Sequence, residues 1–283
     1  MVVVGHQVGS LSAVPREAVL KTRPAGRARL DLTRAQILGS RRRVGALDER
    51  LPRGRRSLRE AAWAGLQDSV PRAALLSIHA RVDGTGPMTW EDPSLVQLWG
   101  PRYTAYLVAA RDLPVFSLGR MPQDRKGLLV AEEVAARLQA FLRGRRMSYD
   151  EAGTALGWNP NRLRYAAPTG TVLIRWDGAH VPTVWTVPRP AVDPLVVRLE
   201  LARRYLRVFG PGTPGSFARW AGVSPRLAAD AFEALGTALI PVRSPIGDAW
   251  ILARDEPTFR APTGPAARAA APERRPLLPP AGR

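Results

Sequence analysis

Gln67, Asp68 and Ser69 are the residues of this sequence whose types and spacing best suit chemistry. They lengthen a turn that occurs in shorter form elsewhere: six positions separate Gly65 from Pro71, whereas three separate Gly157 from Pro160 and Gly222 from Pro225. A chain that needed only to turn would not require three more polar residues. Two readings stand side by side. In the structural one, Asp68 or Ser69 accepts the amide protons that open the next helix, as Ser224 and Asn159 are placed to do in the other copies. In the chemical one, an amide and a carboxylate hold a water against an electrophilic sugar carbon. Gln67 then positions the water, and Asp68 activates it or stabilises the cationic sugar formed as a glycosidic bond opens.

The elements that must position these residues are marked by small residues, glycines and prolines. In Trp63-Ala64-Gly65, Gly157-Trp158-Asn159-Pro160 and Trp220-Ala221-Gly222-Val223-Ser224-Pro225, a helix stops at a glycine, where the chain turns through positive φ without a Cβ clash. A proline then opens a new helix, which is the punctuation of a helix-turn-helix. Thr33 caps a helix starting at residues 34–38, with Arg41-Arg42-Arg43 facing water or phosphate. Ser57 is expected to cap a helix over 58–64. The helix over 72–81 stands where a recognition helix would, with Leu75, Ile78 and Val82 buried and Arg72 and His79 on another face. Residues 95–99, 103–108 and 115–118 read as strands or short helix-strand pieces, and Arg102-Tyr103-Thr104-Ala105-Tyr106 alternates as a wing strand does.

Helices are predicted over 128–143, from Ser148 with Glu151 as capping-box partner, and after Asn159-Pro160. The hairpin signal Asp177-Gly178 then joins strands at 171–176 and 183–187. The same order returns with helices over 195–208 and 213–221, a third capped by Ser224, and a hairpin over 239–253. The spacing of 65 positions between Gly157 and Gly222 suits one such unit. Helix, helix-turn-helix and hairpin make a winged helix. The expected architecture is α+β and mostly helical, with units over 30–127, 128–193 and 194–257 between a disordered arm (1–29) and a disordered tail (258–283).

The chain's 283 residues carry a formal charge of +18, so a polyanion such as double-stranded DNA is the expected partner. Part of that charge sits in residues 1–56, with thirteen basic residues against four acidic ones, and all but Lys21 and Lys126 of the Lys and Arg total is arginine. Arg72, Arg102, Arg162 and Arg226 are the candidate phosphate contacts. With no cysteine, thiolate zinc sites, iron–sulfur ligation and disulfides are excluded. His6, His79 and His180 show no metal-ligand spacing. P-loop, nucleophile-elbow and dinucleotide glycine patterns are absent, so no metal and no cofactor is expected. No apolar run is long enough to span a bilayer, and the expected location is the cytoplasm, on the nucleoid.

Removal of an alkylated purine fits the Gln67, Asp68, Ser69 cluster, because that base is already cationic and leaves without a general acid. The run from Gly65-Leu66-Gln67 to Ala80-Arg81, with Leu98-Trp99-Gly100-Pro101-Arg102-Tyr103-Thr104, Ala110-Arg111-Asp112, Phe209-Gly210-Pro211 and Phe217-Ala218-Arg219-Trp220-Ala221-Gly222, resembles the bacterial winged-helix DNA-binding-domain family that includes the AlkZ and YcaQ type DNA glycosylases. The resemblance covers about residues 30–257. It implies tandem winged helices around a concave DNA-facing surface, and excision of alkylated purines or unhooking of interstrand crosslinks. The family motif is a Gln, any residue, then Gln or Asp; here Gln67 holds the first position, Ser69 the third, and the carboxylate is displaced to Asp68. Adjacent side chains of an extended segment point to opposite faces. Residues 275–280 resemble the start of the family's C-terminal β-rich segment, which is expected to be truncated. A DNA-binding protein that keeps the scaffold without catalysis is the alternative.

Overall fold

The structure is a computed structural model and describes residues 29–70, 72–176 and 181–262. Residues 1–28, Pro71, the Asp177-Gly178 turn with His180, and residues 263–283 lie outside the described residues, and with them the predicted arm, most of the tail and the 275–280 segment. The architecture is mixed α+β. In chain order it contains β1 (Leu30–Asp31), α1 (Arg34–Val44), α2 (Arg55–Ala61), β2 (Leu66–Gln67), α3 (Ala73–His79), β3 (Leu95–Trp99), β4 (Ala105–Ala109), α4 (Leu113–Phe116), α5 (Arg125–Leu142), β5 (Met147–Ser148) and α6 (Tyr149–Ala155). A 3₁₀ helix (Pro160–Thr169), β6 (Val172–Arg175), β7 (Thr183–Thr186), α7 (Pro194–Phe209), α8 (Pro214–Ala221), α9 (Pro225–Leu235), β8 (Leu239–Ser244), β9 (Gly247–Leu252) and α10 (Glu256–Arg260) complete it.

Local capping signals fix many of these boundaries. Thr33 and Gln36 form a capping box at α1, Ser148 and Glu151 another at α6, and the Ser224 hydroxyl accepts from the Leu227 amide at 3.2 Å to open α9. Ser57 does not play this part. It lies inside α2, whose N-cap is Gly54, without a side-chain cap.

The segment Leu30–Val44 departs furthest from expectation. Sequence order groups it with the first unit, yet β1 lies parallel beside β8, and Leu32 and Ile37 share a core with Val242, Ile251 and Phe259. Two arginines of α1 turn inward to carbonyls, Arg41 donating to Gly210 at 3.2 Å and Arg43 to Thr258 at 2.6 Å, while Arg42 pairs with Asp48 at 2.9 Å. Their place at the helix C-terminus suits its dipole, and Arg41 and Arg43 join α1 to the ends of α7 and α10 rather than facing phosphate. The packing around β8 and β9 also runs past residue 257, because Phe259 of α10 is buried in that core.

One six-stranded sheet, in the order β2-β4-β3-β6-β7-β5, joins strands from the two ranges expected to form separate units, 30–127 and 128–193. Its seam is the antiparallel pairing of β3 with β6, in register at Gln97 and Ile174. Two of the predicted strand pieces resolve differently. Pro101 opens a turn in which Arg102 and Tyr103 adopt left-handed φ of 56° and 57°, so the strand starts only at Ala105. Residues 113–116 form the short helix α4, followed by a 3₁₀ turn over Leu118–Arg120.

The largest core unites β3, β4, α4 and the helices α7 to α9, with Tyr205, Phe217 and Trp220 in mutual ring contact. Arg204 crosses the same boundary. It donates through Nη2 to Asp112 Oδ1 at 3.0 Å, through Nη1 to the Trp63 carbonyl at 2.7 Å and through Nε to Glu200 at 2.8 Å. The ion pair with Asp112 is buried on both sides, so α7 is fixed to the residue two places before Gly65.

Candidate active site

The chain enters the Gln67 segment through Gly65, whose φ is +73°. A Cβ there would sit 2.7 Å from the Phe116 ring, so only glycine turns this tightly onto the edge of β4. Strand pairing then imposes alternation: Gln67 is in register with Tyr106, and the Asp68 amide donates to the Ala105 carbonyl at 2.8 Å. Leu66 and Asp68 consequently point inward, and Gln67 and Ser69 outward.

The two readings of the polar trio divide between neighbours. Asp68 is 5% exposed; Oδ1 accepts from the Ala74 amide at 3.0 Å, opening α3, and Oδ2 accepts from Gln97 Nε2 at 2.7 Å. Gln97 is held in turn by Trp176, donating to its carbonyl at 3.1 Å and accepting from its amide at 2.8 Å. Asp68 is therefore a helix cap that also braces the sheet seam. Burial raises its carboxyl above the ordinary carboxylate value, against the pull of the Ala74 and Gln97 donors and of Arg72. The geometry does not bring Asp68 beside the Gln67 amide, and the water-activating role expected of it has no support here.

Gln67 and Ser69 form the exposed pair. Gln67 Nε2 donates to Ser69 Oγ at 2.8 Å, and Arg102 Nη2 donates to Gln67 Oε1 at 3.1 Å. Both ends of the carboxamide are thus held, and the Ser69 hydroxyl proton and the second lone pair of Oε1 are left to grip a water. Arg102, in contact with Gln67, and Arg72, three positions after Ser69, each have a positive φ (56° and 60°) although neither is glycine. Such conformations cost roughly 1–3 kcal/mol and persist only where surroundings enforce them. For Arg102 the enforcing neighbour is Gly222, itself at φ +70°, where a Cβ would lie 2.7 Å from the Arg102 backbone nitrogen. Gly222→Ala is accordingly expected to lower stability by about 1–3 kcal/mol. Urea melts check it, and an unchanged midpoint would contradict the close approach.

The four candidate phosphate contacts do not all meet. Arg102 touches Gln67, and Arg72 lies over the Trp90 ring at 5.8 Å. Arg162 is farther along, 3.5 Å from Glu133 and over the Trp158 ring at 4.9 Å, and it lines a cavity of about 850 Å³ together with Tyr103 and Tyr165. Arg226 is exposed in the first turn of α9 and makes no hydrogen bond or ion pair among the described residues.

None of the curated proteins matches the chain in sequence. The family described as DNA glycosylase AlkZ-like matches residues 60–281, most of the chain and all of the Gln67 segment. The chain belongs to the AlkZ-like DNA glycosylase family. Among solved structures, Streptomyces sahachiroi DNA glycosylase AlkZ is similar in fold, with a TM-score of 0.66 and 17% identity, over 82% of this chain and 73% of that one.

In this AlkZ-like chain, two site residues escaped sequence reasoning. Gln97 is the polar residue of an otherwise apolar strand, Leu95-Val96-Gln97-Leu98-Trp99, and that exception was its signal. Arg120 closes the apolar stretch after Pro114 in the same way, and it is buried against the cavity wall. Among the described residues no cluster of three or more His, Asp or Glu side chains is placed to hold a metal ion, and no helix is long and apolar enough to cross a membrane.

Proposed function

We propose that this AlkZ-like chain binds duplex DNA in the cytoplasm, on the nucleoid, through winged-helix units, and hydrolyses the N-glycosidic bond of alkylated purines. The observation that carries the reading is the shared direction of Gln67 and Ser69, the first and third positions of the family motif, on an exposed edge beside Arg102. The water held between Gln67 and Ser69 attacks C1′ as the glycosidic bond opens. The cationic purine takes the bonding electrons and leaves neutral, and the water's proton passes to solvent. Units over 128–193 and 194–257, each ordered helix, helix, turn, helix and hairpin, supply the surrounding surface.

A second reading, DNA binding without base excision, draws on two observations of the same site. The motif's carboxylate is engaged by Ala74 and Gln97, and the charge in contact with Gln67 is the Arg102 guanidinium, which opposes a developing sugar cation. The full chain incubated with a duplex carrying 7-methylguanine separates the two. Excision predicts abasic product that falls about a hundredfold in Gln67→Ala, a loss of the size expected when one group that orients the reactants is removed, and falls less in Ser69→Ala. A binder gives no abasic product, while its duplex affinity drops steeply with salt, by a slope near −0.9 for each phosphate contacted.

A further inference from the structure

Arg120 is only 3% exposed, and it lines the cavity of about 850 Å³ bounded by the start of α5, the Pro160–Thr169 helix and the start of α9. Its Nε donates to the Ala221 carbonyl at 3.0 Å, and its Nη1 to those of Trp99 at 3.0 Å and Phe116 at 3.3 Å. Carbonyls satisfy donors without neutralising charge, and Arg120 makes no ion pair among the described residues. Its Nη2 has no hydrogen-bond partner among them either. Burial lowers its pKa to about 10, which still leaves it cationic at neutral pH. A buried cation with neutral partners and an unspent donor is the electrostatic half of an anion site.

The rest of the wall agrees. Lys126 and Arg162 add positive charge, part of which Glu133 offsets at 3.5 Å from Arg162; against these cations the lining holds one acid, Asp124, whose carboxylate accepts from the Gly127 amide at 2.7 Å, so the balance stays positive. Tyr103 lies under the Arg120 guanidinium at 5.1 Å and meets Tyr165 edge-on at 5.5 Å, giving the cavity an aromatic side next to its cationic one. Charge for an anion beside rings for a flat heterocycle is the chemistry that recognises a nucleotide.

We propose that this cavity is a nucleotide site, in which Arg120, with Lys126 and Arg162, takes the phosphoryl group and the Tyr103–Tyr165 pair takes the base. The phosphoryl group belongs either to a free mononucleotide or to a nucleotide of a DNA strand. The proposal does not require base excision, so its failure and the failure of the excision assay are separate results.

Titration calorimetry of the full chain with deoxyguanosine 5′-monophosphate, deoxyguanosine and inorganic phosphate is the test, with a labelled duplex as competitor. The monophosphate is expected to bind and deoxyguanosine to bind much more weakly. Arg120→Met is expected to weaken the monophosphate about tenfold or more, the loss of one charge-assisted hydrogen bond. Displacement of the duplex by the monophosphate assigns the site to a DNA strand; binding of both together assigns it to a free nucleotide. Where Arg120→Met does not fold, Lys126→Ala with Arg162→Ala takes its place, with the same tenfold loss expected. No monophosphate binding by the unaltered protein, or equal binding by the folded variants, overturns the proposal.

Discussion

Asp68→Ala is expected to lower the folding free energy by about 3 kcal/mol, because it strands two buried donors at once, the Ala74 amide and Gln97 Nε2. Asp68→Asn rescues only part of this. Its amide oxygen can accept from Ala74, but its NH₂ then faces the Gln97 NH₂, and Gln97 cannot turn over without breaking both bonds to Trp176. A loss of about 2 kcal/mol is expected there. The pH dependence separates this account from a catalytic one. Because the folded carboxyl titrates above the ordinary value of 3.8, its contribution is fully present below that value and is lost as pH rises through the raised folded value. The stability of the unaltered protein relative to Asp68→Asn should therefore fall as pH rises above 3.8 and level off only once pH has passed the raised folded value. Urea melts at a series of pH values measure it, and a pH-independent difference throughout would refute the burial argument.

Arg204→Met carries the other large effect, about 3–5 kcal/mol of lost stability. It leaves Asp112 charged, buried and without its guanidinium, and frees the Trp63 carbonyl that Arg204 ties down. Removing both charges together, Arg204→Met with Asp112→Leu, is expected to recover much of the loss, since a buried pair has little net advantage over apolar packing. A double variant as unstable as the single one would show that the cost lies elsewhere. Under the proposed excision, base release should suffer in the single variant even at temperatures where it stays folded, because Trp63 lies four residues before Gln67 on the segment that places it.

Which parts of this architecture were legible in the sequence follows from the range of the interactions involved. The caps at Thr33, Ser148 and Ser224 and the hairpin over 239–252 depend on residues within a few positions of one another, and they stand where the pattern put them. The motif's opposed side-chain directions were legible for the same reason, since strand alternation needs no tertiary information. The choice of which face is buried did need it. Gln97 lies 29 positions beyond Asp68, and its bond settles that Asp68 is the inward residue. Sequence likewise offered no hint that Leu30–Val44 crosses to the packing around β8 and β9, because its partners begin about two hundred positions later. The Arg102–Tyr103 turn was hidden by an alternating pattern that mimics a strand, and Pro101 was the residue that spoke against it.

That crossing of Leu30–Val44 constrains the order in which the protein can assemble. A nascent chain emerges from the ribosome in sequence, so this strand and helix are synthesised long before the hairpin and the Phe259 helix that cover them. Until β8, β9 and α10 have been made, β1 lacks its sheet neighbour and α1 its apolar cover, and short-range bonds with the Arg41 contact at the end of α7 are too few for eleven helical residues to persist. The last step of maturation is therefore expected to be the docking of an early segment onto a late one, and a ribosome stalled near residue 235 should present Leu30–Val44 as readily cut by protease.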